Sequence, residues 1–139
     1  MSGDYTFTII KPCAVKSGYI GSILADIQKG GFNISAMKYI QLTQTQAESF
    51  YSVHKGRPFF DALVQFMIST PVVVAILKRK NAVEEYRKLI GETNPANAAE
   101  GTIRKKYAKN MRQNAVHGSD SDENAAIESN FFFSLCERF

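Results

Sequence analysis

The run Pro71-Val72-Val73-Val74-Ala75-Ile76-Leu77 decides the fold class. Its β-branched residues follow one another without polar alternation, the pattern of a strand buried inside a layered domain. On its C-terminal side a helix is predicted from about Asn81 to Ile90, stopped at Gly91. On its N-terminal side Phe59 to Met67 reads as a helix with Pro58 at its first position. Thr43 to Tyr51 reads as a shorter helix capped by Thr43 or Thr45. Further back, Phe32 to Leu42 alternates loosely and reads as a strand, and Ile20, Ile23, Leu24 and Ile27 recur at helical spacing until Gly30-Gly31. Tyr5 to Ile10 is a first strand that Lys11-Pro12 closes. Beyond Gly91, Glu92 to Gln113 has no long apolar period and reads as a loop with short helical turns, a length that usually serves function. Asp122 to Glu128 begins a helix, and Asn130-Phe131-Phe132-Phe133 is predicted as the last strand. Together these make an α/β chain, an α+β sandwich with helices on a mainly antiparallel sheet.

Length and composition narrow the function classes. At 139 residues a single domain spanning 1–139 is expected. A hydrophobic share of 45% with ten Phe and six Tyr excludes a disordered chain. The longest apolar runs, such as Val72–Leu77, fall far short of the ~20 residues that span a bilayer. Met1-Ser2-Gly3-Asp4 lacks the basic start and apolar stretch of a secretory signal, so the expectation is a cytoplasmic protein without membrane association. Cys13 and Cys136 have no neighbours at metal-ligand spacing and are read as reduced thiols. The net charge of +4 is unevenly spread: ten basic residues against four acidic ones lie between Lys78 and Arg112, while acidic residues dominate from His117 onward. A basic stretch suits a phosphate-bearing partner, a nucleotide or a nucleic acid.

No G-x-x-x-x-G-K-[ST] and no G-x-G-x-x-G occurs, so phosphate chemistry here must use another arrangement. Asn114-Ala115-Val116-His117-Gly118-Ser119-Asp120-Ser121 offers one. A neutral imidazole is a competent nucleophile near neutral pH when a second group fixes its tautomer, and Glu128 is the best downstream candidate. Gly118 permits close backbone approach, and Ser119, Asp120 and Ser121 can bond backbone groups and start a helix.

The segment 114–121 is similar to the active-site segment of nucleoside diphosphate kinases. Lys11-Pro12, the stretch Tyr51 to Phe60 with Arg57-Pro58-Phe59-Phe60, Gly91-Glu92-Thr93-Asn94-Pro95, and Gly101-Thr102-Ile103-Arg104 extend the resemblance in order along almost the whole chain. It implies a ferredoxin-like four-stranded antiparallel sheet covered by helices, and transfer of a γ-phosphate from a nucleoside triphosphate to a diphosphate by a ping-pong route. In that scheme His117 carries the phosphate as a pros-phosphohistidine, Glu128 orients it, and Ser119, Lys11 and Tyr51 assist. Arg87, Thr93 and Arg104 would bind β- and γ-phosphates with Mg²⁺, the metal held mainly by the nucleotide rather than by side chains. Lys11 and Asn114 would hold the ribose, and Phe59 would stack on any base, so ATP, GTP, UTP, CTP and their deoxy forms should all serve. The resemblance also implies a homo-oligomer, with a hexamer favoured over a tetramer.

Where the family usually has Lys-Pro-Asp-Gly this chain has Lys11-Pro12-Cys13-Ala14, which removes a carboxylate and a glycine beside Lys11. Met111 stands at the base-facing position of the loop, and His54 reads as a structural or surface histidine. A nucleic-acid-binding module built on the basic stretch 78–112 is retained as a secondary activity. A histidine phosphatase is disfavoured because no Arg precedes His117.

Overall fold

The structure, a computed structural model, describes residues 3–139. Its strands are β1 (Tyr5–Ile10), β2 (Asn33–Ile40), β3 (Val72–Lys78) and β4 (Val116–Gly118). They form one antiparallel sheet in the order β2-β3-β1-β4. Around it lie α1 (Pro12–Lys16), α2 (Ile20–Lys29), α3 (Gln44–Phe50), α4 (Phe60–Met67), α5 (Ala82–Ile90), α6 (Ile103–Tyr107) and α7 (Asp122–Phe132). This is the α+β, ferredoxin-like arrangement that the sequence implies.

β3 is the spine because both of its faces are covered. Val73, Ala75 and Leu77 point into a cluster with Ile23, Ile27, Tyr86, Ile90 and Ile103. Val72, Val74 and Ile76 point the other way, into a cluster with Phe7, Ile9, Val64 and Met67. The two-residue period of a strand therefore serves two helical layers, and every residue from Val72 to Leu77 is buried. Thr43 caps α3 through a reciprocal pair: Gln46 N donates to Thr43 Oγ1 at 3.1 Å, and Thr43 N donates to Gln46 Oε1 at 2.9 Å. The loop from Glu92 contains a single helical turn at Pro95–Asn97 and then α6, which Thr102 caps.

Two local expectations are corrected. Asn130 to Phe133 does not form the last strand; α7 runs on to Phe132. Aromatic β-propensity yields there to packing, since Phe132 stacks on Phe7 with centroids 5.4 Å apart. The fourth strand is instead Val116–Gly118, around His117 itself, a run of three residues with no alternation long enough to read. Pro58 does not open α4, which starts at Phe60 after a turn in which Phe60 N donates to Arg57 O. Pro12, beyond closing β1, takes an early position in α1, where its missing N–H costs nothing.

Candidate functional site

β4 places His117 opposite Ile9 of β1. Just before it the chain makes a positive-φ γ-turn: Ala115 has φ 72°, and Val116 N donates to Asn114 O at 2.9 Å. Such a conformation costs about 1–3 kcal/mol and persists only where neighbours over-determine it. Here they do. Lys11 N donates to Ala115 O, and the Arg104 guanidinium donates to Asn114 O at 3.3 Å and to Val116 O at 2.9 Å. After His117, Gly118 is closely packed: a Cβ there would meet Ile90 at 3.0 Å and Tyr86 at 3.1 Å, so those side chains would have to give way.

The imidazole is held from one side. Its Nε2 lies 2.9 Å from Glu128 Oε1, and Ser119 Oγ donates to that same oxygen at 2.6 Å. An ionised carboxylate only accepts, so Nε2 carries the proton and the lone pair is on Nδ1. Nδ1 has no hydrogen-bond partner among the described residues. Phe7 and Phe50 flank the ring at 6.1 and 5.9 Å, Phe50 edge-on. Ser121 caps α7 by accepting from Asn124 N, which fixes the helix that carries Glu128.

Two buried cations lie close by. Lys11 Nζ donates to Asn114 Oδ1 at 2.9 Å, and among the described residues neither Lys11 nor Arg104 forms an ion pair. Burial, and then the charge of Arg104, brings the Lys11 ammonium down to about 8. Burial also lowers Arg104. Tyr51 is buried with its hydroxyl unpartnered, and burial with the nearby Glu128 charge raises its pKa, so it remains a neutral donor. Adjacent buried cations that form no ion pair make a place for an anion.

Two clefts open beside this core. One, of about 410 Å³, is lined by Lys11, Asn114, Phe59, Phe66, Met111 and Gln113. The other, of about 570 Å³, is lined by Arg87, Thr93, Gly91, Asn97 and Thr102. Arg104 ties them together, donating to Gly91 O at the edge of the second and to Asn114 O at the edge of the first. The predicted residues thus fall into three groups. His117, Glu128 and Ser119 are bonded together; Lys11, Asn114 and Phe59 share one cleft; Arg87 and Thr93 share the other. Phe50 lies edge-on to both Tyr51 and His117, and the Tyr51 hydroxyl lies near enough to Glu128 to feel its charge. His54 packs as a structural histidine, its ring between Tyr51 and Phe59 at 6.5 and 5.3 Å. Its spacing from Tyr51 was the available signal. Phe7 and Phe50 gave none, because their contact with His117 spans separate elements. Among the described residues no cluster of three or more His, Cys, Asp or Glu could hold a metal, and no helix is long and apolar enough to cross a membrane.

The family model described as Nucleoside diphosphate kinase matches residues 4–138. A nucleoside diphosphate kinase of Flavobacterium psychrophilum is 58% identical over 139 residues, covering all of both chains. One from Lawsonia intracellularis is 58% identical over 135 residues, covering 97% of this chain and 98% of its own. Among solved structures, the Aquifex aeolicus nucleoside diphosphate kinase superposes with a TM-score of 0.95 at 40% identity, covering 98% of this chain and 99% of that one. A halophilic nucleoside diphosphate kinase from Halobacterium salinarum, solved in complex with CDP, gives 0.93 at 33% identity, covering 99% and 92%.

Proposed function

The chain belongs to the nucleoside diphosphate kinase family and is a phosphotransferase of that activity, and on this premise we propose that it works by a ping-pong relay through His117 with low base specificity. Residues 1–139 act as one kinase domain in this reading. The observation that carries it is the one-sided grip on His117. Glu128 holds Nε2, so the free Nδ1 is the nucleophile. In the first half-reaction the Nδ1 lone pair attacks the γ-phosphorus, the bond to the β,γ-bridging oxygen breaks, and the diphosphate leaves with that electron pair. In the second, a terminal oxygen of another diphosphate attacks the phosphorus and the N–P bond breaks, returning the lone pair to Nδ1.

Lys11, Arg87, Thr93, Arg104 and the Tyr51 hydroxyl supply donors where charge spreads over the transferring oxygens. Lys11 and Asn114 hold the ribose, and Phe59 stacks on the base. Mg²⁺ would arrive as part of the nucleotide, where it would neutralise phosphate charge. A base held between Phe59 and Met111 would meet little that tells purines from pyrimidines, and the CDP bound by the Halobacterium relative supports pyrimidine use. ATP, GTP, UTP, CTP and their deoxy forms are the expected substrates, in the cytoplasm.

A homo-oligomer is supported by β2, an outer strand with Met37 and Tyr39 at 50% and 62% exposure beside an apolar hollow of Ile20, Leu24 and Val73. We take a hexamer over a tetramer, to be checked by sedimentation. For the relay itself, brief incubation with γ-labelled ATP should leave label on the protein that is stable in alkali and lost in acid. Added GDP or CDP should remove it as triphosphate. Protein that never takes up label would refute the relay.

A further inference from the structure

Met111 is 58% exposed and stands with the 40%-exposed Phe59 on the lining of the base cleft. Its side chain is free, but its backbone is not. Asn110 Oδ1 accepts from Arg112 N and Gln113 N, Lys109 N donates to Gln113 O, and Met111 O accepts from Asn114 Nδ2. A pinned turn thus offers a thioether to solvent at the mouth of the site, bonded through its own carbonyl to Asn114.

A thioether in that position is chemically distinct from any other apolar wall, because its sulfur is oxidisable. The remaining methionines provide contrast. Met67 is fully buried, Met37 is half exposed on β2, and Met1 lies outside the described residues. Resting on the reading of this cleft as the base site, we infer that Met111 is a modification site through which peroxide weakens nucleotide binding. The sulfur lone pair attacks one peroxide oxygen, the O–O bond breaks, and the departing hydroxide takes up a proton. Sulfur is oxidised by two electrons to the sulfoxide while hydrogen peroxide is reduced to water. The sulfoxide replaces an apolar, polarisable wall with a strong dipole that retains water and makes a poorer partner for a base. His117, Glu128 and Ser119 are untouched, so the change falls on KM rather than on kcat.

The test uses the full chain carrying Met37→Leu, which removes the other exposed thioether of the described residues, treated with hydrogen peroxide with and without Mg-ADP. Peptide mapping should find one added oxygen at Met111 and none at Met67, with Mg-ADP protecting Met111. KM for ADP and CDP should then rise about three- to tenfold, the loss of part of one base-stacking contact, at a kcat within twofold of the untreated protein. Methionine sulfoxide reductase with dithiothreitol should restore KM, and a Met37→Leu/Met111→Leu protein should have a KM, whatever its starting value, that peroxide does not change. Complete oxidation of Met111 with protection by Mg-ADP but an unchanged KM would overturn the inference and leave the site reading standing. Oxidation that Mg-ADP does not slow would overturn both. Recovery with dithiothreitol alone would assign the effect to Cys13 or Cys136 and overturn the inference.

Discussion

Glu128 Oε1 takes hydrogen bonds from both His117 and Ser119, whereas Phe59 and Met111 face their cleft half-exposed, with side chains that offer it only apolar surface. Around the histidine the backbone is fixed as well, by Arg104 and Lys11 on three consecutive carbonyls. Around the base only the turn that carries Met111 is fixed. In the proposed relay the difference follows from what each region would have to do. Transfer of a phosphoryl group depends on in-line geometry and fails when the nucleophile is misplaced by a fraction of an ångström to an ångström. Acceptance of any base depends on having few directional contacts to violate.

The sharpest way to break this comparison is at the fixed end. His117→Ala should abolish label uptake and lower turnover by at least about 10⁴-fold, since it removes the imidazole that Glu128 orients. Turnover within tenfold of the parent would place the chemistry elsewhere. Next, Glu128→Gln keeps the shape but no longer fixes the proton on Nε2. We expect kcat to fall about 10²-fold with KM nearly constant, as steady-state kinetics would show. At the open end the pattern should invert. Phe59→Ala should raise KM about tenfold for purine and pyrimidine nucleotides alike and spare kcat. A kcat effect exceeding the KM effect would mean that the two ends are not separable.

The smallest effect lies between the two ends. With Lys11 at about 8 in the fold against 10.5 when unfolded, the unfolded chain binds the proton more tightly. Below pH 8 the buried cation therefore costs stability, on the order of 3 kcal/mol, and this cost is relieved as pH rises from about 8 to 10.5. The positive charge that an anion needs disappears across the same interval. KM should rise several-fold above pH 8 while thermal stability gains from this group, and Lys11→Arg should move the KM rise to higher pH. A KM flat to pH 9.5 would show that Lys11 does not meet the nucleotide's charge.

How much of this could be read in the chain depended on how local each feature is. Val72 to Leu77 announces a strand because burial on both faces leaves an uninterrupted apolar run. Asn130 to Phe133 misleads because its aromatics pack from a helix onto Phe7 and Phe50. Val116–Gly118 is invisible because three residues carry no period. At the site, His117, Glu128 and Ser119 are recognisable as residue types at a spacing, and the structure brings them into contact. The destination of Arg104 is not legible in the same way. Its guanidinium reaches carbonyls of Gly91, Asn114 and Val116, and backbone oxygens leave no mark in sequence. His54 becomes interesting only once α3 and the following turn set its ring between Tyr51 and Phe59.

The pairing of β1 with β4 also has a meaning in time. Thr8 donates to the carbonyl of His117 across a separation of 109 residues, and Glu128 comes from the last helix of the fold. A ribosome has therefore delivered nearly all of this chain before the reactive imidazole can acquire either its strand partner or its carboxylate. Long-range closures of this kind form late. In the proposed relay, nascent and partly opened chains would thus lack an oriented nucleophile, and label uptake would report the closed fold.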